Sequence, residues 1–153
     1  MSFGTFEEIV RFAIEKEEEA IAFYEEIASR EPYSGIRETF EGFAGEERKH
    51  RELLADILKG KKGVSGYSFT WIPDLKRSNY MVEVEYEKGM PYPDVLRLAV
   101  KREEKALSLY NDLQEKAEGE ELVLLFKMLC QEEAKHKLAL ESLYDDYMKQ
   151  QGD

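Results

Sequence analysis

The sequence predicts an all-α fold, a four-helix bundle made of two repeated antiparallel helical hairpins joined by a long crossover connector. Three observations predict it. Charged residues make up 36 % of the 153 residues and there are only four prolines, a composition for long helices in one domain spanning 1–153. The chain meets itself without a gap when shifted by 86 residues: AIEKEEEAIAFY (13–24) falls on AVKREEKALSLY (99–110), and FEGFAGEERKH (40–50) on FKMLCQEEAKH (126–136). A fixed internal period marks a repeated supersecondary unit. Finally, each half contains two segments whose apolar residues recur at steps of three and four, the pattern of a helix with one buried stripe.

The first helix is expected from about Thr5 to Arg30, with Thr5 and Glu8 placed as a capping box. The second runs from about Ser34 to Lys59 and stops before Gly60 and Gly63. The third starts near Pro93 and Asp94, favoured residues for a first turn, and ends near Gly119. The fourth continues to about Met148. Short turns make each pair an antiparallel hairpin, the first over about 5–59 and the second over about 93–148. The connector, about 60–92, is long enough to run the ~38 Å of a ~25-residue helix, as an inverted second hairpin requires. Its Tyr67, Phe69, Trp71 and Ile72 are expected to pack on the bundle, and 80–86 alternates like a short strand.

The apolar seams carry the chemistry. In the second helix the seam is Ile36, Phe40, Phe43, Glu47, His50, Leu54, Ile57; in the fourth it is Leu122, Phe126, Leu129, Glu133, His136, Leu140, Leu143, Tyr147. The first helix gives Val10, Ala13, Glu17, Ala20, Tyr24, Ile27, and the third Leu96, Ala99, Glu103, Ala106, Tyr110, Leu113, Ala117. Each seam is apolar or aromatic except at its centre. Of Glu15, Glu17, Glu18 and Glu19, only Glu17 lies on the seam, where it matches Glu103. Glu18 and Glu104 also repeat but point off it, and are expected to be solvated.

Height along the hairpins agrees. Glu17 lies sixteen residues before a turn near residue 33, with Glu47 and His50 fourteen and seventeen after it; Glu103, Glu133 and His136 stand in the same relation to a turn near 119. Each hairpin thus brings a Glu and an E-x-x-H pair to one level, and the two pairs use every histidine in the chain. One such pair in a Glu-rich helix is ordinarily a solvated face. Four core carboxylates, however, are costly to desolvate without cations, and metal ions turn them into ligands. Four Glu and two His from four helices form the ligand set of dinuclear iron or manganese sites. Glu47 and Glu133 are read as bridging, with Glu17 and His50 completing one metal and Glu103 and His136 the other. Two divalent ions balance the four carboxylates. Tyr24 and Tyr110 either donate hydrogen bonds to these carboxylates or serve as core aromatics.

The formal net charge of −11 disfavours nucleic acid and anionic membranes as partners. No apolar run reaches membrane-spanning length, and the Glu-rich first thirty residues are unlike a signal peptide. The single cysteine, Cys130, excludes an intrachain disulfide and a C-x-x-C metal site; a cytoplasmic protein is expected, with Cys130 a small core residue.

At Glu17, Tyr24, Glu47–His50 and again at Glu103, Tyr110, Glu133–His136, the chain resembles the rubrerythrin family of the ferritin-like superfamily, over everything but the connector. The resemblance implies a non-haem di-iron centre, two iron ions per chain with manganese admitted by the same ligands, that reacts with hydrogen peroxide or dioxygen. It departs in two places. Rubrerythrins proper add a rubredoxin-like domain on two C-x-x-C pairs, so here the electrons are expected from a separate donor protein. They also carry a further carboxylate where this chain has Ala106, which gives a plainer site like that of bacterioferritin. The alternatives are a ferroxidase or iron-handling protein, and a metal-free helical interaction module. A homodimer is expected, with helix exchange through the connector as one route to it.

Overall fold

A computed structural model of the chain describes residues 6–60, 86–87 and 89–152. The described residues form four helices: α1 (Phe6–Arg30), α2 (Ser34–Leu58), α3 (Tyr92–Lys116) and α4 (Glu120–Gly152). α1 packs on α2 and α3 on α4, each pair joined by three residues, as in a ferritin-like four-helix bundle. The chain divides into two compact units, one carrying α1 and α2, the other α3 and α4. The expected capping residue Thr5, the connector aromatics Tyr67, Phe69, Trp71 and Ile72, and all of the strand expected at 80–86 except Tyr86 lie outside the described residues.

In the first unit, Glu7 and Glu8 sit in the first turn of α1 and Arg30 in its last, each sign matched to the helix dipole. Exposed pairs such as Arg11–Glu7 at 2.8 Å add a few tenths of a kcal/mol each. α2 ends through Lys59, whose N–H reaches the Ala55 carbonyl at 3.2 Å, and Gly60 follows at φ 74°. Only glycine takes that left-handed conformation without a Cβ clash, so the stop before Gly60 is written into the sequence. The core is aromatic: Tyr24 stacks on Phe40 with ring centroids 6.0 Å apart and meets Phe43 at 5.5 Å.

In the second unit, α3 begins one residue earlier than expected, at Tyr92, with Pro93 and Asp94 in its first turn. It ends at Lys116, three residues before Gly119. Gly119, at φ 91°, belongs instead to the start of α4, where its carbonyl accepts from the Val123 N–H at 3.2 Å. α4 runs to Gly152, four residues past the expected end. Its late turns lie against the start of α3: Arg97 donates to the Tyr144 hydroxyl at 3.0 Å, and Tyr92 meets Tyr147 edge to face at 5.6 Å. Further along α3, Tyr110 stacks on Phe126 at 6.1 Å, so α4 recedes as α3 advances and the pair is antiparallel.

Candidate metal centre

Two triads of buried, metal-ligating side chains stand at the middle of the hairpins. In the first, α1 supplies Glu17 and α2 supplies Glu47 and His50; in the second, α3 supplies Glu103 and α4 supplies Glu133 and His136. All six are between 1 and 7 % exposed, while Glu15, Glu18 and Glu19 on the same turns of α1 face solvent. Their burial follows from the seam: the three–four spacing that buries Phe40, Phe43 and Leu54 also buries Glu47 and His50.

His50 Nδ1 lies 3.7 Å from a Glu17 oxygen and 3.6 Å from a Glu47 oxygen. The second triad repeats this, with His136 Nδ1 3.7 Å from Glu103 and 3.9 Å from Glu133. Within each triad, one ligand atom from each residue lies within 4.8 Å of the other two. Ligand atoms held at ~2.1 Å from one ion, ~90–110° apart, are ~3.0–3.5 Å from each other. Each histidine–carboxylate edge therefore needs to close by less than ~1 Å for its triad to hold a cation. The donors are hard carboxylate oxygens and borderline imidazole nitrogen, a set that suits iron, manganese or zinc.

Burial pushes the Glu17 carboxyl up to about 8, the hydrogen bond and charge of Glu47 add to the shift, and His50 opposes it. Two carboxylates side by side in a water-poor interior repel each other, and a cation between them relieves both the repulsion and the desolvation. Tyr24 and Tyr110, two turns beyond Glu17 and Glu103, are almost fully buried and stack on the aromatic core of their own hairpins.

Three buried polar residues of α4 fell outside the sequence reading: Gln131, Lys137 and Glu141. Glu104, expected to be solvated, is half-exposed and pairs with Lys137 at 3.6 Å. One signal pointed to this pair. Glu104 and Lys137 adjoin Glu103 and His136 in sequence, and the 86-residue period places Glu18 and Arg51, the same charges, beside the first triad. Cys130 is half-buried; its thiol donates to Asn111 Oδ1 at 3.5 Å, and burial raises it to about 11.

A family model for rubrerythrin matches residues 8–144. Among solved structures, a hypothetical protein from Pyrococcus furiosus is 30 % identical, with a TM-score of 0.66 over 92 % of this chain and 89 % of that one. No curated relative matches the sequence. With that match running from the first turn of α1 to the late turns of α4 and taking in both triads, the chain belongs to the rubrerythrin family.

Proposed function

We propose that the two triads combine into one dinuclear iron centre that reduces hydrogen peroxide or dioxygen with electrons from a separate donor protein. The observation that supports this reading is the recurrence of one buried Glu–Glu–His triad in each repeat of a rubrerythrin-family chain. Glu17, Glu47 and His50 would hold one ion, and Glu103, Glu133 and His136 the other. Held by these six residues, two ferrous ions would supply the two electrons that, with two protons, take hydrogen peroxide to two waters.

The chain's own residues set the conditions for this chemistry. The four carboxylates balance two divalent ions, so the loaded centre adds no net charge to the interior. Glu17, held protonated up to about pH 8, gives up its proton when a cation enters, which couples uptake to pH. The stacked rings of Tyr24 with Phe40 and of Tyr110 with Phe126 pack the core on one side of each triad. A surface carrying a net charge of −11 favours a donor with a basic face. A cytoplasmic homodimer fits this reading, and no described helix is long and apolar enough to cross a membrane.

The test is anaerobic loading with ferrous iron followed by rapid mixing with peroxide or dioxygen. Two irons taken up per chain and re-oxidised by either oxidant would support the proposal; iron that is bound but re-oxidised by neither would sink it. Repeated turnover of many irons per chain, with a large shell in light scattering, would move the assignment to a ferroxidase.

A further inference from the structure

Lys137 is a buried charge outside the ligand set. Its side chain is 6 % exposed, yet its ammonium lies 3.6 Å from the half-exposed Glu104 carboxylate of the neighbouring helix. A lysine is almost never buried so deeply without a partner, because desolvating the ammonium is costly. Here the side chain is covered along its length, and Glu104 sets a carboxylate of opposite charge beside the ammonium. A fully buried acidic residue, Glu141, follows one turn along α4.

The position of this pair matters more than its energy. Glu104 follows Glu103 and Lys137 follows His136, so the bridge crosses from α3 to α4 at the level of the second triad. Neighbouring residues on a helix point ~100° apart. A fixed contact at Glu104–Lys137 therefore fixes the rotation of both helices and keeps Glu103 aimed at His136. The first hairpin is tied differently. There Arg48 meets Glu25 at 2.7 Å, but both side chains are about half exposed, and Glu25 lies two turns beyond Glu17. The residues equivalent to Glu104 and Lys137 are Glu18, which is exposed, and Arg51, which is only partly covered; Ala55 stands where the second hairpin has Glu141.

We propose that Lys137 and Glu104 are positioning residues that pre-organise the second triad, so that Glu103, Glu133 and His136 form the tighter half-site and take up metal before Glu17, Glu47 and His50. This rests on the reading that each triad holds one metal ion. Partners behind the ligands of a metal site commonly change its affinity by 10–100-fold, because a ligand held in place loses less freedom on binding.

The test is titration of metal-free protein with cobalt(II), followed by calorimetry and by the visible absorption of the bound ion. Wild-type protein should bind in two steps. H136Q should lose the tighter step and H50Q the weaker one. K137M and E104Q should each weaken the tighter step roughly tenfold, K137R should largely restore it, and E25Q should leave both steps alone. E104Q alters only a half-exposed side chain, so it reports on the bridge even if K137M fails to fold, and a thermal melt of each metal-free variant checks this. Two equal sites in the wild type, an H136Q protein that keeps the tighter step, or an E104Q protein that binds like wild type would overturn the positioning role while leaving the metal centre intact. A wild type that binds no cobalt would overturn the metal centre itself, and the positioning role with it.

Discussion

Replacing Glu17 by glutamine should stabilise the metal-free protein, and more so as pH rises. Glu17 is raised from 4.5 to about 8, chiefly by burial and then by Glu47. The folded state therefore keeps a proton that the unfolded chain releases above pH ~4.5. Stability falls as pH rises through this window, and the full penalty is reached above about 8. Each pH unit inside the window is worth ~1.4 kcal/mol, which bounds the whole effect at on the order of 5 kcal/mol. Glutamine has the shape of the protonated acid and no charge to desolvate. Urea unfolding with chelator present, at pH 5, 6, 7 and 8, should show wild type and E17Q close together at pH 5. They should separate by ~1–1.4 kcal/mol per unit above it. A divalent cation should remove the wild type's disadvantage by displacing the proton. Parallel stability profiles for the two proteins would refute the reasoning, since Glu17 would then ionise as easily folded as unfolded.

Three further outcomes are expected. Removing the Phe40 ring, which is fully buried against Tyr24 and Phe43, should cost ~3–5 kcal/mol in F40A, read by the same urea titration. H50A and H136A should each reduce iron uptake by about one ion per chain in elemental analysis, and an unchanged stoichiometry would contradict the two-triad assignment. Cys130, raised to about 11, should alkylate far more slowly at pH 8 than a free thiol in solution, with the rate still climbing above pH 10.

The parts of the structure that repeat were legible in the sequence. Glu17 stood apart from three neighbouring acids only because the seam spacing and the match to Glu103 coincide, and the structure buries Glu17 while exposing those three. Local stereochemistry was legible as well, since a glycine at position 60 has few uses other than to stop a helix. Gly119 was harder, because a left-handed glycine between two helices serves either the end of one or the start of the next. The burial of Lys137 and Glu141 was not legible, although the 86-residue period put Lys137 beside the second triad. A lysine and a glutamate four apart look like an ordinary solvated pair in sequence, and only tertiary packing decides whether the face that bears them is covered. The extension of α4 to Gly152 was also not marked, because no glycine or proline lies between Gly119 and Gly152.

The three-residue turns that close each hairpin have a kinetic consequence. Glu17 and His50 come from strands of sequence only 33 residues apart, as do Glu103 and His136, with a single tight reversal between them. Contacts this local carry a small loop-closure cost, and chains built from them fold on the microsecond-to-millisecond scale. Each triad can therefore assemble inside its own stretch of chain as that stretch is synthesised. A divalent cation present at that moment would capture the hairpin in its native register, and protein made with chelator present should contain hairpins that form but fray at their centres.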